Sequence, residues 1–193
     1  MAFTFTVQAQ IPVTVTGETN TTPALATSYT SLSLALTALN GTTAMTGPVT
    51  FTLNAGASET APATGFVIGS ATLNPVLSAT NTVTIVKASG SATTINAGTG
   101  TATPTSANPD GMLKIVGADY ITIDGLTFND GNVTNPQTME FGIGLFKLNA
   151  GDGAQNNTIQ NCIINMQRIN NASSTAPMVE GSVGIIMMNA SNG

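Results

Sequence analysis

The segment Ile121-Thr122-Ile123-Asp124-Gly125-Leu126-Thr127-Phe128 recurs as Asn157-Thr158-Ile159-Gln160-Asn161-Cys162-Ile163-Ile164. Ile123 matches Ile159, Gly125 matches Asn161, and Phe128 matches Ile164. A second pair sets Gly144-Leu145-Phe146-Lys147-Leu148-Asn149-Ala150 against Gly184-Ile185-Ile186-Met187-Met188-Asn189-Ala190, each closing on a glycine at Gly153 and Gly193. Internal repetition of this kind constrains a fold more than composition does. The strands in each unit are only about three to five residues long, too short to bury an apolar face as isolated hairpins. Laid on the equivalent strand of the next unit, roughly 4.8 Å away, they form a continuous buried ladder. Gly125 and Asn161 then share one turn position, which calls for a left-handed backbone that these two residue types tolerate best.

The rest of the chain agrees with short strands broken by Gly, Asn, Asp and Pro turns. Strands are predicted at 49–53, 82–86, 112–116, 120–123, 126–128, 143–148, 158–159, 162–165 and 183–188. One segment has a helical period: between Ser28 and Gly41, apolar Tyr29, Leu32, Ala35, Leu36 and Leu39 share a face. Ser28 or Thr30 can cap its start, and Gly41 suits a left-handed stop. No second helix separates the strands, which excludes an alternating βαβ sheet. Long loops are expected over 55–79 and 97–109, with a further insertion over 167–181. The pattern predicts an all-β solenoid, with a β-sandwich as the competing arrangement.

Only 7% of the 193 residues are charged, against about 25% in ordinary soluble domains. Thr, Ser, Asn and Gly stand in their place. Disorder is a poor account, because 41% of the residues are hydrophobic and they recur at strand spacing. The four basic residues Lys87, Lys114, Lys147 and Arg168 form no cluster, so the cationic footprint that nucleic-acid binding needs is missing. No apolar run approaches the roughly 18 residues of a membrane-spanning helix. Cys162, the single cysteine, lies in an apolar run and reads as a small core residue. Residues 1–10 read as a signal-peptide remnant, with Val7 and Ala9 at the positions a signal peptidase recognises, or as a first strand.

The helix from Tyr29 to Asn40, the following Gly47-Pro48-Val49-Thr50-Phe51-Thr52-Leu53-Asn54 and the repeats resemble the N-terminal end of right-handed parallel β-helix proteins of the pectate-lyase-like superfold. That resemblance implies an all-β, right-handed parallel β-helix (solenoid) with a short N-terminal capping α-helix. The cap would occupy about 29–40 and the coils about 47–193, within one domain over 11–193 that ends in mid-coil as the start of a longer protein. The same helix, Gly47–Phe51 and Gly117–Phe128 are similar to large, low-charge surface proteins exported by the type IX secretion system. The resemblance implies a secreted cell-surface structural or adhesive module, with extracellular glycans and secretion machinery among its partners. Further coils or an assembly partner would cover the open C-terminal edge.

Enzymes of this superfold use an Arg or Lys base with calcium-binding carboxylates, or grouped aspartates with a histidine. The chain has no histidine, and its one arginine, Arg168, sits at the edge of a polar insertion. Asp119 and Asp124 are separated by a strand, so their convergence is not implied. No catalytic or cofactor-binding residue is assigned. A polysaccharide lyase, a glycoside hydrolase or a glycan-binding protein remains the alternative for a longer chain. Calcium is the one cofactor considered, with Asp119 and Asp152 as candidates on equivalent turns and Asn192 at the next such place. Asp and Asn are equally at home there as turn formers. Thr-x-Thr occurs at Thr4–Thr6, Thr14–Thr16, Thr50–Thr52 and Thr82–Thr84 without constant spacing, in keeping with simple β-propensity. Far-UV circular dichroism should be dominated by strand, and a helix-dominated spectrum would refute this reading.

Overall fold

The computed structural model describes residues 8–100, 110–131, 139–167 and 183–191. The chain enters through β1 (Val13–Thr16), β2 (Thr21–Thr22) and β3 (Ser28–Tyr29), followed by α1 (Leu32–Asn40) and β4 (Ala44–Met45). The first set of three strands is β5 (Val49–Leu53), β6 (Ser58–Thr60) and β7 (Phe66–Ile68). The second is β8 (Val83–Lys87), β9 (Thr94–Asn96) and β10 (Gly111–Val116); the third is β11 (Ile121–Asp124), β12 (Thr127–Asn129) and β13 (Phe141–Asn149). After β14 (Asp152–Gly153) come β15 (Thr158–Gln160), β16 (Ile163–Asn165) and β17 (Val183–Ser191). We call each set of three a tier.

Equivalent strands of successive tiers pair in parallel. Phe51, Ile85, Ile123 and Ile159 form one inward row across β5, β8, β11 and β15, buried except at Ile159, which is partly buried. Ile95, Phe128 and Ile164 form a second across β9, β12 and β16. Phe66, Leu113, Ile143 and Ile185 form a third across β7, β10, β13 and β17. Alternation along the strands of the first two rows sends these residues inward and leaves mostly Thr, Ser and Asn outside, whereas the outer side of the third row is itself covered, with Val116, Phe146 and Ile186 buried there in a second cluster. The register expected from the first repeat is present: Ile123 pairs with Ile159 and Phe128 with Ile164. Gly125 (φ 75°) and Asn161 (φ 54°) both adopt the left-handed backbone that turns the chain from one sheet into the next.

The single right-handed parallel β-helix is a correction to be made. The described residues form four sheets of mixed arrangement and not one solenoid. β1 lies antiparallel to both β3 and β5, β2 pairs antiparallel with β4, and β14 lies antiparallel to β13. A repeat reports only strands that stack in the same sense, so it is blind to these unrepeated strands. The second repeat is also corrected: Gly144 faces Ile186, not Gly184, in a register that pairs Phe141 with Val183 and Ile143 with Ile185. The expected loop over 55–79 contains β6 and β7. Tyr120 has φ 56° and lies outside β11, which begins at Ile121.

The helix is shorter than expected. Tyr29 belongs to β3, and Ser31, not Ser28 or Thr30, caps α1 by accepting from the Leu34 N–H at 3.2 Å. Gly41 ends it at φ −85°, in the right-handed region, and not by a left-handed stop. Leu32, Ala35, Leu36 and Leu39 are buried against the lower end of the stack. There Glu59, almost fully buried, accepts from Ile11 N (2.9 Å), Leu32 N (2.8 Å) and Ser33 N (3.1 Å). Glu59 pairs with Ile95 in β9, so it occupies the inward row. A carboxylate is suited to that place because it satisfies the orphan N–H groups of the helix start and complements the helix dipole. Glu59→Ala should destabilise the chain by about 2–4 kcal/mol, read from urea unfolding, because three backbone donors lose their acceptor. Asn161→Val should cost about 1–2 kcal/mol and Asn161→Gly far less, since only the former meets the left-handed penalty.

Candidate functional site

Two outer faces carry the most regular chemistry in the molecule. On the six-stranded sheet, Thr16, Thr50, Thr84, Thr122 and Thr158 stand in one row, each paired with the next. On the neighbouring sheet, Thr60, Asn96, Asn129 and Asn165 form a second row, beside Ser58, Thr94 and Thr127. Rungs of such sheets repeat at about 4.7–4.9 Å, so hydroxyl and amide groups recur at that interval. The uneven sequence spacing of the Thr pairs concealed the first row. Connections between strands differ in length, whereas register is set by the buried row beneath, Phe51 to Ile159.

Asp119 and Asp152 are held by the protein. Asp119 Oδ1 accepts from Gln155 N at 2.6 Å, and Asp152 Oδ2 accepts from Asn74 Nδ2 at 2.9 Å. Asn74 also donates to Val116 O at 3.0 Å, tying the end of β10 to the preceding tier. Among the described residues no group of three metal-ligating side chains forms. Asn192 and Arg168 lie outside the described residues. Asp124 lies across from Gln160 and accepts from Asn161 Nδ2 (2.8 Å) and Gln160 Nε2 (3.0 Å), bonds that hold its carboxyl below the usual range. Cys162 packs against the main core, donates to Gln160 O at 3.2 Å, and has its thiol pushed up by burial. A raised thiol is a poor nucleophile.

The sequence reading missed a buried ionisable cluster. Asp110, Lys114 and Glu140 are all nearly inaccessible to solvent. Asp110 N donates to Glu140 Oε2 at 2.7 Å, and Glu140 N returns a bond to Asp110 O at 2.9 Å. Glu140 Oε1 has no hydrogen-bond partner among the described residues. Burial, more than the nearby Asp110 charge, pushes Glu140 up to about 8. Burial also lowers Lys114, against the opposing pull of Asp110 and Glu140. Beside them Phe141 and Phe146 pack at 5.5 Å between ring centroids. They lie over Gly111 and Gly144, where any Cβ would strike the Phe141 ring. Lys114 pairs with Gly144, so the missing side chain belongs to the same arrangement. The one available signal was a lysine inside the otherwise apolar run Met112–Val116. The cluster is closed to solvent, so the ionisation of its groups acts on the stability of the fold.

Depressions lie at both ends of the stack. One of about 390 Å³ is lined by Gln8, Gln10, Ser33, Leu34 and Glu59 beside α1. Another of about 380 Å³ is lined by Leu145, Phe146, Met187 and Met188 at the opposite end. No helix among the described residues is long and apolar enough to cross a membrane. No family, curated protein or solved structure matches the chain.

The buried carboxyl has a pH signature. With Glu140 near 8 in the folded state against an ordinary 4.5, the folded chain binds the extra proton between those values. Its contribution to stability therefore falls as pH rises from about 4.5 to about 8 and then levels. Glu140→Gln should flatten this part of the pH dependence of Tm relative to the native chain. An unchanged slope would show that Glu140 titrates normally.

Proposed function

We propose that this chain is a structural and adhesive module of a secreted bacterial cell-surface protein. The observation that supports it best is the pair of uncharged outer rows, Thr16 to Thr158 and Thr60 to Asn165, held in register on a stacked core. Hydroxyl and amide groups both donate and accept, so a neutral, hydroxylated partner such as an extracellular glycan fits them without paired charges. Scarcity of charge also suits a surface whose contacts are insensitive to ionic strength. The ionisable groups in the described core act on stability, and the half-buried carboxylates Asp119, Asp124 and Asp152 are held by neighbouring donors.

Antibodies raised against the folded chain should label intact source cells without permeabilisation; labelling only after permeabilisation would overturn the assignment. Beads coated with the chain should adhere to those cells. Thr84→Lys and Thr122→Lys together should cut that adhesion at least about twofold while circular dichroism is unchanged, because a charge on an outward, half-buried rung changes the face without disturbing the core. Equal adhesion by the variant would remove the Thr row from the contact.

A further inference from the structure

Asparagine side chains tie distant parts of this chain together at several places. Asn20 donates to Pro48 O (2.8 Å), Asn74 to Val116 O (3.0 Å), Asn81 to Met45 O (3.1 Å) and Asn157 to Ala118 O (2.9 Å). Asn40, the last residue of α1, uses both ends of its amide on the end of β7. Its Nδ2 donates to Val67 O at 2.9 Å, and its Oδ1 accepts from Gly69 N at 2.9 Å. Its main-chain oxygen is held as well, by Ser70 Oγ at 2.6 Å and Thr72 Oγ1 at 2.8 Å. These bonds fasten the C-terminal end of the helix to the first tier.

The residue that follows each asparagine sets these clamps apart. Thr21, Thr82 and Thr158 follow Asn20, Asn81 and Asn157, and their branched side chains crowd the peptide nitrogen. Pro75, which has no N–H, follows Asn74. Of these five, only Asn40 is followed by a glycine, Gly41, with no side chain to hinder attack by its nitrogen. We propose that Asn40–Gly41 is a site of spontaneous deamidation, held in check by the docking of α1 on β7, and that its product releases the end of the helix from the first tier. The Gly41 nitrogen attacks Asn40 Cγ, and the new C–N bond closes a succinimide ring. The Cγ–Nδ2 bond breaks, and the amide group leaves as ammonia with the proton that Gly41 N gave up. Water then opens the ring to aspartate or isoaspartate. The folded chain opposes the attack, because Gly41 N is engaged with Ala38 O at 3.1 Å and two bonds hold the Asn40 amide on β7. The last turn of α1 must open first. After reaction the clamp cannot re-form. A carboxylate cannot donate to Val67 O, and its charge lies at the negative end of the helix dipole. Isoaspartate also displaces the main-chain oxygen that Ser70 and Thr72 hold.

The test follows the complete chain and a synthetic peptide of residues 36–44 in mildly alkaline buffer, with peptide mapping for isoaspartate and the one-dalton mass gain. Asn40 should react in the peptide and at least about tenfold more slowly in the folded chain, with no gain at Asn74. Thr72→Val removes one bond to Asn40 O from an exposed side chain, and should speed the reaction in the folded chain about two- to tenfold. Gly41→Ala should suppress the reaction and keep the clamp, since a Cβ there meets nothing nearer than Ala38 O at 3.4 Å. Asn40→Asp, which makes the product directly, should speed hydrogen exchange at Gly69 N–H and in the last turn of α1, whereas Gly41→Ala should not. A folded chain that reacts as fast as the peptide, or a peptide that does not react, would overturn the gated site. Native exchange rates in Asn40→Asp would overturn release of the helix.

Discussion

Parallel backbone pairing between equivalent strands of successive tiers is the interaction on which everything else in this molecule rests. A strand such as β12 or β16, three residues long, sends one large side chain inward. By itself it buries almost nothing. When Ile95, Phe128 and Ile164 stand over one another, each closes the layer below, and burial becomes a property of the stack. Apolar area removed from water contributes roughly 25 cal/mol per Å², so the stabilisation scales with how completely each tier is covered. The corners at Gly125 and Asn161 keep these short strands in register by turning the chain at the same place in successive tiers.

Two buried glutamates differ in how their carboxyl oxygens are partnered. Glu59 is surrounded by three backbone N–H donors from the N-terminal segment and α1, and it joins elements distant in sequence. Glu140 receives one such donor from Asp110 on the same buried footing, and one of its oxygens lacks a partner among the described residues. Desolvation then dominates and favours the protonated form. Lys114, lowered by the same desolvation, completes a cluster in which burying charge is only partly compensated.

The surface follows from the same stacking. Because inward residues set the register, outward residues are free to vary, yet the Thr row from Thr16 to Thr158 is uninterrupted. The adjoining outward positions of that sheet hold Thr52, Val86, Asp124 and Gln160, a mixed set. Cross-strand Thr pairs contribute some stability by themselves. The contrast between the two rows is what connects the scaffold to a proposed role in surface contact.

Much of this was readable from residue order. Alternation of Thr with Val, Ile or Phe marks β5, β8 and β11, and the match of Gly125 with Asn161 marks a shared left-handed turn. The apolar face of Leu32, Ala35, Leu36 and Leu39 marked α1. These are local or repeated signals, carried by neighbours in the chain. Only the tertiary structure decided the mixed sheet arrangement, because nothing in the order of residues shows that β1 and β14 run antiparallel to the strands they pair with. It also revealed β6, whose inward residue is Glu59 in place of an apolar one, since the partner that makes a glutamate acceptable there is the start of a helix far away in sequence. The Thr row and the Asp110–Lys114–Glu140 cluster belong to the same class: their meaning lies in which strands become neighbours, and connections of unequal length hide that from the sequence.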